Sequence, residues 1–436
     1  MNPPAGLVPP TYFILIFLVP LAVAGLAIMN TGLGRTRSAA HFMLSSLSSV
    51  ALAACVYVLW GFSWEGVSGQ VAHIVFLGGR PWDWIATDPF LWHGLAFDNS
   101  RVTASAFLQV FTVGLAALIP LASGADRWRL TSSLISTALL AGWIYPLFAH
   151  WVWGGGWLSE LGTNYGLGIG FVDAGGASTI HVVGGLSALS VVWILGPRFG
   201  KYSTEGVSAA IPGYNIVYVL LGCGLMLPGW IALNAAGSLL FVGTPAGQIA
   251  LVAVNTFLCA SAGCLAALAT TGVRFSKPDA SLCGNAWVGG LVTSSAIAPF
   301  VTPGVAILTG LVAGVIVVLS VEFLEMRLSI DYPGGAISSH GLAGIWGLLA
   351  SGIFLHLPRL ASTGFHPRGQ FLAQVVGIAT LLGFVLPMTF GLNWILNRFH
   401  VQRVDRQGDL LGMDLRELGG GAYPEFVVRS DEYTQR

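Results

Sequence analysis

Apolar runs of about twenty residues alternate along the chain with short stretches rich in Gly, Pro, Ser and Arg. Eleven such runs can be placed, at 11–30, 42–62, 102–122, 132–150, 174–195, 208–233, 248–272, 283–300, 304–325, 334–356 and 371–397. In hydrocarbon every backbone N–H and C=O must be satisfied within its own segment, so each run reads as a helix crossing a bilayer of roughly 30 Å at 1.5 Å per residue. The pattern predicts an all-α integral membrane protein of eleven transmembrane helices. Residues 1–397 form one helical domain and 398–436 a tail outside the lipid.

Composition agrees: 55% of the 436 residues are apolar and only 9% charged, which excludes an ordinary soluble domain of this length. The 19 basic and 19 acidic residues cancel, so net charge argues for neither a nucleic-acid surface nor an acidic partner. Charge placement is more informative. Fifteen of the 19 basic residues fall on alternate connections, namely Arg35, Arg37, Arg127, Arg129, Arg198, Lys201, Arg274, Lys277, Arg327 and the tail from Arg398; Arg80, Arg101, Arg359 and Arg368 fall on the other side. The basic side is expected to be cytoplasmic, with the N-terminus outside and the tail inside. The N-terminus has no basic n-region and its first apolar run continues to Met29, so it reads as a spanning helix and not as a cleaved signal. Trp60, Trp64, Trp151, Trp153 and Trp157 are expected near the outer boundary as an aromatic belt. The five cysteines, Cys55, Cys223, Cys259, Cys264 and Cys283, lie in apolar runs without metal-type spacing, and read as small buried residues. The 58 glycines suit close approach of helices in lipid, where apolar burial between helices gains little.

One pattern, GGAxxxHxxxG, occurs twice: Gly175, Gly176, Ala177, His181, Gly185, and Gly334, Gly335, Ala336, His340, Gly344. The copies lie in the fifth and tenth runs, which cross in opposite directions. This is the signature of a five-plus-five inverted repeat, about 11–195 and 208–356, followed by a last helix at 371–397, with the functional centre near the midplane. Each histidine lies six residues past its glycine pair, about 9 Å along a helix, and so well inside the hydrocarbon. An ionisable side chain at that depth points to a pathway through the protein; the alternative is a histidine that merely bridges helices by hydrogen bonds. If the two rings share a hydrogen bond, one donates and one accepts, and apolar surroundings keep both neutral. Apart from His356 at the far end of the tenth run, no Cys, carboxylate or further His accompanies the pair in these runs, which argues against a haem or metal site; no metal, cofactor or enzymatic chemistry is expected.

Asp173, eight residues before His181, can cap a helix start or attract a cation. The stretch HWVWGGGWL, 150–158, supplies aromatic faces where a pore would open, and a cation above an indole gains about 0.5–2 kcal/mol. Trp153 is the candidate for that contact; an ordinary interfacial tryptophan is the alternative.

These residues resemble the ammonium transporter, methylammonium permease and Rhesus protein family from the first run to the tail. The resemblance is carried by HWVWGGGWL, DAGGASTIHVVGG from Asp173, GWIALNAAGS from Gly229, IDYPGGAISSHGLAGIWG from Ile330 and GMDLRELGGGAYPEF from Gly412. It implies a homotrimer of eleven-helix channel domains in the cell (plasma or inner) membrane, each with a narrow pore that conducts ammonium or ammonia. By family pattern His181 and His340 are the twin pore histidines, Asp173 the helix-five aspartate, Trp153 the tryptophan of outer cation recruitment, and Trp230 and Asn234 supporting residues. The sequence departs from the pattern in the outer vestibule. The first gate phenylalanine falls at Thr112, next to Phe111; the second falls at Leu233; the recruitment serine falls at Gly237, next to Ser238; and the second aspartate of the IDDP string is Tyr332. One missing aromatic face and one missing hydrogen bond should weaken cation binding by about 1–3 kcal/mol. Potassium, with no proton to give up, is expected to be excluded. The resemblance leaves ammonium uptake, neutral ammonia or carbon dioxide conduction and ammonium sensing as readings of the same pore. It also makes the tail the place where a cytoplasmic nitrogen-regulatory trimer would dock.

Overall fold

The computed structural model describes residues 6–67, 72–355 and 367–423. Arg359 and residues 424–426 of the tail string lie outside the described residues. Among the described residues ten helices are long and apolar enough to cross a membrane: α1 (Thr11–Leu33), α2 (Thr36–Glu65), α3 (Arg101–Gly124), α4 (Leu130–Val152), α5 (Ala177–Leu195), α6 (Ile216–Leu240), α7 (Ala246–Phe275), then α9 (Pro303–Leu328), α10 (Ile337–Phe354) and α11 (Arg368–Phe399). Between α7 and α9 runs α8, Ala280–Ile297, started by the Asp279 carboxylate, which accepts from the Leu282 N–H at 2.9 Å. Its sequence carries Gly284, Asn285, Gly289, Gly290, Thr293, Ser294 and Ser295, nearly all buried. A helix surrounded by other helices need not be greasy, and its small residues let α7 and α9 pack closely on it. The run expected at 208–233 begins later, at Ile216, because Pro212 and Gly213 hold the preceding chain out of helix and Asn215 caps the start by accepting from the Tyr218 N–H.

The helices pack in matching sets. α3 lies on α5 as α8 lies on α10, and the first turn of each histidine helix lies against the other histidine helix. The close crossing depends on glycine. A Cβ on Gly185 would stand 2.5 Å from the Gly341 nitrogen, and one on Gly344 would stand 2.6 Å from a Val182 methyl.

The segment after α2 departs from the all-helical expectation. Residues Ala72–Leu77 (β1) and Arg80–Ala86 (β2) form an antiparallel hairpin, closed by Gly78 and Gly79, both at positive φ. Its aromatic side chains meet the stretch after α4: Trp82 stacks on Trp157 at 4.4 Å, and Trp84 packs edge-on to Trp151. Trp151 and Trp157 are therefore buried in protein, which corrects their reading as members of an interfacial belt. Trp60, by contrast, is exposed.

The tail folds back across the opposite face. A short helix, α12 (Arg406–Leu411), and the turn after it place three carboxylates among the connections. Asp409 accepts from Arg35, Arg403 and the Phe199 N–H; Asp414 accepts from the N–H groups of Ala40 and His41 in α2; and Glu417 meets His41 and the Leu130 N–H. Beneath them Arg198 holds Asp331 by two guanidinium bonds of 2.9 Å and Asp126 by one of 3.0 Å, and Arg127 closes the group. Burial works against ionisation of Asp331, yet bonding to Arg198 and the charges of Arg198 and Arg127 hold its carboxyl down at about 2.

Candidate functional site

Each glycine pair shapes the start of a histidine helix. The first glycine admits a neighbour: a Cβ on Gly175 would lie 2.3 Å from the Asn234 Oδ1, and one on Gly334 would lie 2.3 Å from the Ala122 Cβ. The second turns the chain, Gly176 at φ +91° and Gly335 at φ +67°, where other residues are strained. Beyond them 177–182 and 337–342 are wide π-type turns, a form that recurs at functional sites.

Asp173 supports the first of these turns. Its carboxylate accepts from the N–H groups of Gly176, Ala177, Ser178 and Thr179, and from the hydroxyls of Ser178 at 2.5 Å and Thr179 at 3.3 Å. The side chain is buried. Of its two expected roles, the cap is the one the geometry displays.

The turns bring the two histidines together. Nδ1 of His340 lies 3.3 Å from Nδ1 of His181, with the rings 5.3 Å apart and inclined by 34°. One hydrogen can occupy that contact. The ring that supplies it keeps a bare Nε2, and the other, if neutral, carries its hydrogen on Nε2, so the pair offers one acceptor and one donor at its ends. His181 Nε2 is buried and has no hydrogen-bond partner among the described residues. The Trp230 ring lies parallel to His181 at 4.7 Å and 6.3 Å from His340, while its Nε1–H donates to the Ser295 hydroxyl at 3.0 Å. Trp230 is thus a wall of the pair itself and not only a support. Asn234, one turn on, donates from Nδ2 to the hydroxyls of Thr256 and Ser294.

The remaining vestibule residues separate. Trp153 donates from Nε1 to the Asp173 carbonyl at 2.8 Å, and its indole stacks on Phe241 with centroids 4.2 Å apart and planes 9° apart. Phe241 was not singled out in the sequence. It follows Gly237 by one helical turn at the end of α6, and supplies an aromatic face where Thr112 and Leu233 supply none. Gly237 is forced by packing, since a Cβ there would lie 2.3 Å from the Ala174 carbonyl oxygen. Ser238 beside it is buried, and its hydroxyl has no partner among the described residues. Leu233 is core, and Phe111 packs half-buried against the same large apolar cluster. Thr112 turns its hydroxyl to Gln109 and to Tyr145, each at 2.8 Å. Gln109 and Tyr145 are bonded to each other, and Gln109 and Tyr57 both donate to Glu65, a fully buried carboxylate at the end of α2. An acidic residue closing the apolar run LWGFSWEG was the available signal for Glu65.

A helical bundle built for lipid, with two imidazoles paired at its centre and no adjoining carboxylate bonded to either, defines a multi-pass membrane protein of the transport class. The Ammonium Transporter Family sequence model matches residues 11–423, and the chain belongs to that family. It is 33% identical to ammonium transporter Amt2 of Archaeoglobus fulgidus over 433 residues, covering 95% of this chain and 88% of that protein. It is 28% identical to the ammonium transporter of Bacillus subtilis, covering 95% and 98%. Among solved structures a Sensor Amt Protein superposes with a TM-score of 0.83 at 27% identity, covering 93% of this chain and 96% of that one. Mep2 of Candida albicans gives a TM-score of 0.77 at 21% identity, covering 91% and 86%, a likeness of fold. Ammonium transport across a membrane is the function of this family and of this chain.

Proposed function

We propose that ammonium is gathered at an outer vestibule beside Trp153 and Phe241, gives up its proton near the start of α5, and crosses as ammonia along His181 and His340. The observation that carries this reading is the Nδ1–Nδ1 contact of 3.3 Å, flanked by Trp230: a buried, paired donor and acceptor suits a small molecule that both donates and accepts hydrogen bonds. The matching packing of α3 on α5 and α8 on α10 supports an inverted repeat in which α8 is the eleventh span. On this reading the N-terminus is outside and the tail, 398–436, is cytoplasmic. The protein sits in the cell membrane as a homotrimer of one-pore subunits whose tail face can receive a nitrogen-regulatory partner.

The test is the current on a jump to ammonium in liposomes on a solid-supported membrane, with potassium and methylammonium as controls. A saturating ammonium-selective current is expected, and His181→Ala and His340→Ala should each abolish it or change its selectivity. Wild-type behaviour in both variants would remove the histidines from the path. A sensing role is the second reading, favoured by the likeness to the Sensor Amt Protein and by a vestibule in which Phe241 covers one face of Trp153. Retained ammonium binding, with no current and ammonia permeability no faster than in empty liposomes, would select it.

A further inference from the structure

On the face carrying the tail, the connection after α5 and the start of α12 border an open cleft of about 450 Å³, lined by Pro197, Arg198, Phe199, Gly200, Tyr202, Arg403 and Arg406. No acidic side chain lines it. The surrounding charges do not balance. Arg35, Arg127, Arg198 and Arg403 share three carboxylates, those of Asp126, Asp331 and Asp409. Arg406 has no carboxylate partner among the described residues; its guanidinium lies 4.0 Å from the centre of the exposed Phe199 ring, which positions it at the cleft and leaves its N–H fork unpaired. Five guanidinium groups against three carboxylates leave an excess of positive charge, carried by Arg406 at the exposed rim of the cleft, above the buried and paired Arg198 and Arg127. Such an excess is relieved by a bound anion, and a planar arginine fork matches the oxygens of a phosphoryl group in particular. The volume lies in the usual range of small-ligand sites, about 300–1,000 Å³, and exceeds what a bare halide needs.

We infer that this cleft binds a phosphate-bearing ligand, held by Arg406 and Arg403 with Arg198 beneath. The phosphoryl group comes either from an anionic lipid headgroup or from a soluble phosphate compound. Bound there, it bridges the tail to the α5–α6 connection and adds to the attachment already made by Asp409.

The experiment uses the purified full chain, stripped of lipid in detergent. Native mass spectrometry counts retained phosphatidylglycerol against phosphatidylcholine of the same acyl chains, and calorimetry titrates inorganic pyrophosphate and ADP. Arg406→Glu should weaken the ligand that binds by at least tenfold, and Arg406→Gln by less. Lys277→Glu, an exposed cation of the same side but outside the cleft, should have no effect. Preferential phosphatidylglycerol retention lost in Arg406→Glu identifies the lipid source; pyrophosphate or ADP binding lost in that variant identifies the soluble one. Failure of the wild type to bind any of them, or equal loss in Arg406→Glu and Lys277→Glu, overturns the proposal. Arg406→Gln gives the same readout should the glutamate variant fold poorly. The outcome is independent of whether the pore conducts.

Discussion

The two copies of GGAxxxHxxxG place their histidines in nearly the same way and begin their helices quite differently. In the first, the Asp173 carboxylate gathers four N–H groups and two hydroxyls of the opening turn. In the second, the corresponding position is Tyr332, whose hydroxyl meets only the Ser338 hydroxyl at 2.8 Å, while the Ser338 and Ser339 N–H groups turn back to the Gly335 carbonyl. The carboxylate of that half is one residue earlier, Asp331, and faces away from its own helix toward Arg198. The repeated pattern therefore fixes the centre, while the flanking acidic residue is free to specialise. One supports a helix start beside Trp153, and the other joins a helix start to the connections that carry Arg198 and Arg127.

The sharpest break of this comparison is Asp173→Ala. It leaves six buried donors without their acceptor, at about 1–3 kcal/mol for each group that finds no other, so a cost on the order of 5 kcal/mol or more is expected. Folded yield by size-exclusion chromatography should collapse; a melting temperature within a few degrees of wild type would contradict the cap. Asp331→Asn should cost less, on the order of 2–3 kcal/mol near neutral pH, from a carboxyl held at about 2 in the fold against roughly 3.9 unfolded. Because the folded value is the lower one, this contribution is complete above about pH 4 and is lost as pH falls toward 2. The melting difference between wild type and Asp331→Asn should hold constant from pH 8 to 5 and close below 4; a difference that changes between pH 8 and 5 would assign the stabilisation to another group. Gly237→Ser, which supplies the serine expected there from the resemblance, should destabilise by about 1–3 kcal/mol, because its Cβ meets the Ala174 carbonyl oxygen. Ammonium currents should fall with it; a gain in apparent affinity would show that the opening can widen. Smallest is Tyr332→Phe, which removes one hydrogen bond worth about 1 kcal/mol and should leave the current within about twofold.

The central pair was legible because its signal is redundant: the same spacing, twice, in runs of opposite direction. Asp173 was legible as a cap for a local reason, its position a few residues before a helix start. What escaped is set by spatial neighbours and not by spacing along the chain. Phe241 stands against Trp153 because α6 ends beside α4, and no linear pattern announces an aromatic brought there by the packing of two helices. Trp230 was read as support, although it faces His181 directly, since flat stacking is a property of two helices and not of one. The hairpin had a local signal, Gly78-Gly79 between segments rich in β-branched and aromatic residues, but the search for long apolar helices passes over short strands. α8 shows the converse limit. A helix wrapped by its neighbours needs small residues more than hydrophobic ones, so apolarity alone understates it.

The tail attachment also has a consequence for how the chain is made. Arg35 belongs to one of the first connections to leave the ribosome, and its partner Asp409 lies 374 positions later. Asp414 reaches α2 across a similar interval. Throughout synthesis of the intervening helices these early groups are without Asp409 and Asp414, and only the segment after the last long helix supplies them. This face is therefore joined only after the helices between its two halves have been made.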